Sequence, residues 1–220
     1  IVVDCANGAN YKVAPWTLWE LGCEVITIAN YPDGKNINFN CGAVNPKKLS
    51  KKVLEEKADI GFAFDGDGDR LIVVDEKGNL IDGDKILALF SKYILNKKNN
   101  RLKNIVVATV MSNLGFENYL KDELKIILKR TKVGDINVIN EMKKYNSILG
   151  GEQSGHIILS NYSKTGDGIL AALKIIEIMS FKKLKVSKLF DLYKEFPQIM
   201  VNIPYKTLND SIDQKIKSLK

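Results

Sequence analysis

The apolar, partly β-branched runs Ala58–Phe64 and Leu71–Val74 read as buried strands, and the whole connection between them is Asp65-Gly66-Asp67-Gly68-Asp69-Arg70. That acidic loop therefore caps a sheet. Gly66 and Gly68 can take backbone conformations closed to other residues, so the chain can curl and turn Asp65, Asp67 and Asp69 toward one point. Three carboxylate oxygens suit Mg²⁺, which keeps some coordination positions for water or phosphate oxygen. The Arg70 guanidinium places an anion-binding group directly behind them.

Two other loop types share part of this pattern. Asp65, Asp67, Asp69 and Glu76 fall at positions 1, 3, 5 and 12 of an EF-hand calcium loop. That loop needs glycine where Arg70 stands, and helices where these flanks read as strands. A dinucleotide-binding loop needs a third glycine where Leu71 stands.

A chain of 220 residues, 45% hydrophobic and 27% charged, is long enough for one large or two small domains with a real core. No apolar run reaches the roughly 20 residues of a membrane span, and no signal segment opens the chain. Cys5, Cys23 and Cys41 lack CxxC spacing, and only His156 is available to join them at zinc. They read as reduced structural thiols, which fits a cytoplasmic protein. The net charge of +7 does not make a nucleic-acid interface. Its lysines are scattered, and the densest groups, Lys97-Lys98 and Lys182-Lys183-Lys185, lack interleaved aromatics. A solvated basic surface, compatible with an anionic small molecule, accounts for it.

Strand patterns fall at 1–5, 24–29, 60–64, 71–75, 104–109, 126–132, 147–149 and 156–159, alternating with helical patterns at 11–21, 46–57, 84–95, 112–124, 135–145, 167–181 and 186–196. Asn45 is expected to cap the second helix, with Pro46 at its first position. Lys97–Asn100 reads as an exposed loop, and a new strand pattern opens at Ile199 before a helix from Asp210. The chain begins inside a strand pattern and stops inside that helix, as expected for a piece of something longer. The turn Glu76–Asn79 and the run after it mark a seam near residue 82 between two α/β halves similar in plan.

Gly150-Gly151-Glu152-Gln153-Ser154-Gly155-His156 is a second polar cluster in a glycine-flexible turn. A carboxylate accepts, a hydroxyl donates and accepts, and an imidazole exchanges protons near neutral pH, so the set can grip sugar hydroxyls. A plain hairpin turn and a core histidine are the structural alternatives. Lys129–Asp135 offers cations beside a glycine turn into a helix, where backbone N–H groups can meet phosphate. Ser163–Gly168 reads as a helix cap with a preceding turn.

Together, Asp65–Arg70 and Gly151–His156 resemble the α-D-phosphohexomutase superfamily. Pro32–Asn38 with Cys41-Gly42, the Val133-Gly134-Asp135 turn, Gln153 and Thr165–Gly168 are similar to its bacterial phosphoglucosamine mutase family. The resemblance implies domain II over 1–82 with the metal-binding loop, domain III over 83–196 with the sugar-binding loop, and the truncated start of a C-terminal domain over 197–220. It implies Mg²⁺ at Asp65, Asp67 and Asp69, and Arg70 on the phosphoryl group. It places Glu152 and Ser154 on sugar hydroxyls, with Lys132, Gly134 and Asp135 beside the substrate and His156 assisting proton transfer. The implied reaction interconverts glucosamine 6-phosphate and glucosamine 1-phosphate through a bisphosphate, supplying UDP-N-acetylglucosamine and cell-wall precursors. Implied partners are a phosphorylated amino sugar and the remaining domains of the same protein, with no nucleic acid and no membrane.

Four departures stand out. No segment matches the family's phosphoserine loop or its C-terminal phosphate loop. Ala43-Val44-Asn45 follows Cys41-Gly42 where Ser-Thr-His is usual, and Ile136 replaces the arginine after Val-Gly-Asp. This stretch by itself is expected to be inactive. Phosphomannomutase or phosphoglucomutase activity, or a non-catalytic sugar-phosphate binding module, are the alternatives.

Overall fold

The computed structural model describes residues 1–95 and 104–199, so the readings at Lys97–Asn100 and beyond residue 199 lie outside the described residues. The element order is β1 (Val2–Asp4), α1 (Val13–Glu20), β2 (Ile26–Ile28), α2 (Lys47–Glu55), β3 (Ile60–Phe64), β4 (Leu71–Asp75), β5 (Leu80–Ile81) and α3 (Gly83–Phe90). Then follow β6 (Ile105–Thr109), α4 (Leu114–Asn118), β7 (Ile127–Thr131), α5 (Asp135–Tyr145), β8 (Leu149–Gly151), β9 (Ile157–Leu159), α6 (Gly168–Lys182) and α7 (Val186–Leu189).

The strands form two mixed sheets, ordered β2-β1-β3-β4-β5 and β7-β6-β8-β9. In the first, β1 runs parallel to β2 and β3, and β3 returns antiparallel through β4. In the second, β6 runs parallel to β7 and β8, and β8 returns antiparallel through β9. Up to that return the two sheets share one plan. The acidic loop is the β3–β4 connection, and the Glu152–His156 loop is the equivalent β8–β9 connection.

Both faces of each sheet are covered, so neighbouring residues feed different cores. Phe62 and Phe64 of β3, Leu71 and Val73 of β4, and Val106 and Ala108 of β6 face a shared core with Ile86–Phe90 of α3 and Ile175 of α6. Ala63, Ile72 and Val74 face the opposite way, onto Leu49 and Val53 of α2. Gly61 lets α2 come that close, because a Cβ there would lie 2.6 Å from Val53 Cγ2. In the second sheet Ile105 and Val107 pack on Val138 and Met142 of α5. Phe62 and Phe64 are both fully buried, each contributing about 2–3 kcal/mol of apolar transfer energy.

Several elements differ from the sequence reading. Pro46 occupies the cap position of α2, and Lys47 opens the helix. The expected 84–95 and 112–124 helices change to π-helical turns at Ser91–Leu95 and Tyr119–Glu123. The strand expected at 147–149 is Leu149–Gly151, since the paired backbone of Gly150 and Gly151 continues the ladder with β6 and β9. The helix expected over 186–196 stops at Leu189. Beyond it the chain is strapped to the second sheet's end instead: Lys85 Nζ donates to the Tyr193 carbonyl at 2.6 Å, and Asn113 brackets both the N–H and C=O of Phe196.

Candidate functional site

The acidic loop curls because Gly68 has φ +80°, with its N–H closing back on the Asp65 carbonyl at 3.2 Å. One carboxylate oxygen each from Asp65, Asp67 and Asp69 then lies within 4.8 Å of the others. Asp65 is buried and also accepts from the Arg70 N–H at 3.0 Å. The Arg70 guanidinium lies across the loop, its Nε 3.6 Å from Asp65 and 3.9 Å from Asp69. Asp69 Oδ1 and Arg70 Nε are buried without a protein hydrogen bond. An all-oxygen donor set with an unsatisfied carboxylate oxygen fits a hard divalent cation. Strands flank the loop, as the sequence indicated, which excludes the EF-hand arrangement.

The second loop meets the first through backbone. Leu71 N–H donates to Gly155 at 3.0 Å, Arg70 and His156 form an isolated antiparallel bridge, and Gly83 N–H donates to Gln153 at 2.9 Å. Gly155 has φ +95° and its Cα faces the Leu71 carbonyl, an approach that leaves no room for a side chain. His156 is consequently buried, with Nδ1 3.0 Å from Asp69 Oδ2 and Nε2 left without a protein partner. Gly166 lies flat against the imidazole, where a Cβ would come within 2.5–2.8 Å of three ring atoms.

Glu152 is also buried, and its Oε1 accepts from the Gly134 N–H at 2.9 Å. This brings the 133–135 turn to the Glu152–His156 loop, with Gly134 engaged by a carboxylate. Ser154 is exposed at the loop's tip, while Lys132 and Asp135 are exposed on the turn. None of these three makes an ion pair or side-chain hydrogen bond among the described residues. Arg130, which the sequence offered as a cation for phosphate, is taken up structurally by Glu117 at 2.8 Å and by the Ser112 carbonyl. Ile136 projects from the first turn of α5, 67% exposed. Ala43 tucks its N–H onto the Phe64 carbonyl at 2.7 Å, immediately before the acidic loop. Ser163–Gly168 does cap its helix, through Asp167 Oδ1 and the Leu170 N–H at 2.9 Å. It also reaches the acidic loop, where Gly168 N–H donates to Gly68 at 3.1 Å.

Residues to which the sequence reading gave no role at the site support the loop from beneath. Asp4, at the end of β1, is fully buried and accepts from the N–H groups of Ala6 and Gly42. Burial raises its carboxyl above the ordinary value, with those two bonds opposing the shift. Ala9 N–H donates to the Gly66 carbonyl at 2.8 Å, and Asn10 and Asn38 lie against Gly68 and Gly66. Asn10 carried no signal in the sequence beyond its turn-rich setting, whereas Asn38 lies in the Pro32–Asn38 segment that carried the family resemblance without a role.

The family profile described as phosphoglucomutase/phosphomannomutase, alpha/beta/alpha domain II matches residues 1–78, and the one for alpha/beta/alpha domain III matches residues 82–196. Among relatives, the phosphoglucosamine mutase of Zymomonas mobilis subsp. mobilis is 50% identical over 217 residues, covering 98% of this chain and 48% of the relative. That of Lawsonia intracellularis is 52% identical over 206 residues, covering 94% and 45%. The chain thus spans about half the length of the relatives it matches. A phosphoglucomutase/phosphomannomutase family protein from Burkholderia thailandensis superposes with a TM-score of 0.77 at 28% identity, covering 87% of this chain and 42% of that one. Aspergillus fumigatus N-acetylphosphoglucosamine mutase, solved with GlcNAc-6P and magnesium, shares the fold at a TM-score of 0.69 and 23% identity, with 89% and 49% covered.

Proposed function

Given that this chain belongs to the phosphoglucomutase/phosphomannomutase family, we propose that it carries the metal and sugar sites of a phosphoglucosamine mutase. In this reading residues 1–82 and 83–196 are its two central domains. The protein interconverts glucosamine 6-phosphate and glucosamine 1-phosphate by phosphoryl transfer through a bisphosphate. The observation that carries the proposal is the junction of the two loops, where Asp69 of the acidic triad meets His156 of the sugar loop at 3.0 Å. The amino-sugar preference is supported by about 50% identity to phosphoglucosamine mutases across nearly the whole chain.

Asp65, Asp67 and Asp69 are the residues that would hold Mg²⁺. A cation bound there supplies charge stabilisation to phosphoryl oxygens, the main demand of phosphoryl transfer. Arg70, anchored over the loop by Asp65 and Asp69, offers its guanidinium N–H groups to those oxygens. Asp69 faces His156 Nδ1 and so holds the proton there, leaving the Nε2 lone pair to accept a proton from a sugar hydroxyl. Glu152, fixed by Gly134, accepts from hydroxyls, and exposed Ser154 closes over them. Ile136 leaves the 133–135 turn without a guanidinium, so phosphate contact at that turn falls to Lys132.

No described helix is long and apolar enough to cross a membrane, and Cys5, Cys23 and Cys41 are unpaired. Both features support a cytoplasmic setting. The test is interconversion of glucosamine phosphates by the full-length protein with Mg²⁺ and a glucose 1,6-bisphosphate activator, beside a panel of mannose and glucose phosphates. Activity on the amino sugar that Asp67→Ala abolishes supports the assignment. Binding of Mg²⁺ and sugar phosphate without turnover would instead identify a binding protein, and faster turnover of mannose phosphates would move the substrate.

A further inference from the structure

We infer that Asn10 and Asn38 are positioning residues that clamp the two glycines of the acidic loop and thereby set its cation affinity. The inference rests on reading Asp65, Asp67 and Asp69 as cation ligands. Each glycine is gripped from a different part of the chain. Gly68, at φ +80°, has the Asn10 carboxamide laid against its Cα, so that a Cβ there would lie 2.7 Å from Asn10 Cγ, and Asn10 Nδ2 points to the Gly68 carbonyl at 3.4 Å. Gly66 meets Asn38 and the neighbouring Ile37, where a Cβ would lie 2.8 Å from Asn38 Nδ2 and 2.6 Å from Ile37 Cδ1. Asn38 is itself held in a left-handed conformation at φ +58°, its N–H donating to the Ala6 carbonyl at 2.9 Å.

That backbone is costly for any residue with a side chain, although asparagine tolerates it better than most. Ala6 at φ +53° and Asn7 at φ +48° are likewise left-handed, so unfavourable conformations gather beneath the acidic loop. A second observation points outward from packing: Asn38 Oδ1 is buried and has no protein donor. A buried acceptor of this kind is normally satisfied by water, so the clamp has capacity for a water held at the loop. Carboxamides suit the task because they restrain the loop without the cationic partner that would compete with a metal for the carboxylates. Residues outside a ligand set that orient it typically change metal affinity 10–100-fold when removed.

The experiment is a Mn²⁺ titration of the full-length protein followed by electron paramagnetic resonance, with a thermal midpoint measured for each variant. Asn38→Gly deletes the carboxamide while relieving the left-handed backbone, and Asn10→Ala deletes the other arm. Asn79→Ala, which removes an amide bonded to Asp75 at the β4–β5 turn, is the distant control. Each clamp variant is expected to weaken Mn²⁺ binding about tenfold beyond any change that the control's loss of stability produces. Unchanged affinity in both clamp variants, or losses that track the thermal midpoint as in the control, would overturn the clamp. If wild-type protein takes up no Mn²⁺, or Asp67→Ala binds it equally well, the metal reading itself fails and the clamp with it.

Discussion

Substituting Gly166 by alanine should disable the imidazole without altering any charged or hydrogen-bonding side chain. The added Cβ would lie 2.5 Å from His156 Cε1 and 2.6 Å from Nε2. Ordinary carbon contacts begin near 3.5 Å, so the ring must retreat by about 1 Å. It has little space to do so, being 3% exposed with Asp69 against Nδ1. Overpacking of this kind costs about 1–3 kcal/mol. A misplacement of about 1 Å in a reacting group costs about 100-fold in rate, equivalent to about 2.7 kcal/mol of barrier. The assay is kcat/KM for glucosamine 6-phosphate in the full-length protein, read beside the imidazole resonances of this chain, whose single histidine makes them unambiguous. Gly22→Ala serves as the control, because Gly22 has φ +83° with open space around its Cα. It should lose about 1 kcal/mol of stability at an unchanged rate. If the Gly166 variant works within about twofold of wild type while its imidazole resonances move, His156 is not the proton-transfer group.

Gly83→Ala should strike the seating of the Glu152–His156 loop on the first turn of α3, since its Cβ would enter the space of the Glu152 carbonyl and lie 2.9 Å from Gly155 N. A loss of about 3 kcal/mol corresponds to about 6–12 °C in Tm, and calorimetry showing less than about 2 °C would mean the contact relaxes freely. Burial pushes the Asp84 carboxyl from 3.8 up to about 6. The folded chain therefore keeps that proton across a window where the unfolded chain has lost it. This group's contribution is most favourable below the unfolded value, falls as pH rises between about 4 and 6, and then levels off about 3 kcal/mol lower. Asp84→Asn preserves an acceptor for the Asn113 N–H, at 2.7 Å in the wild type, and should flatten the fall in urea-measured stability over that window; an unchanged slope refutes it. Mg²⁺ at 100 times its Kd should stabilise the protein by about 2.7 kcal/mol, a rise in Tm that Asp67→Ala should abolish.

Much of this arrangement was legible in local sequence. The apolar runs gave the bounds of β3 and β4, the glycine spacing gave the curl of the acidic loop, and α5 spans the expected 135–145. Local patterns failed where tertiary contacts decide the outcome. Gly150 and Gly151 have no strand propensity, yet they pair on both sides because no side chain is needed to make a ladder. Residues after Leu189 have helical periodicity, but Asn113 and Lys85 hold their backbone groups in an extended path. The two-residue strand β5 is too short to show alternation. Asn10 and Asn38 meet the acidic loop only through folding, across sequence separations that spacing cannot express.

The shared sheet plan also constrains how the site can move. The acidic and Glu152–His156 loops occupy equivalent strand connections, and two backbone hydrogen bonds join their surroundings: Leu71 to Gly155 and Gly168 to Gly68. Each contributes about 1 kcal/mol net, and leaving either of them broken in a buried position costs about 1–3 kcal/mol. Asp69 and His156 add the side-chain link at 3.0 Å. Separating the loops would therefore require breaking several buried bonds together, whereas Ser154, Lys132 and Asp135 are exposed and can adjust individually. The acidic triad and His156 should accordingly behave as one rigid unit. On the proposed reading, an opening that admits a sugar phosphate is then expected from elements that face this pair of loops, and not from motion between them.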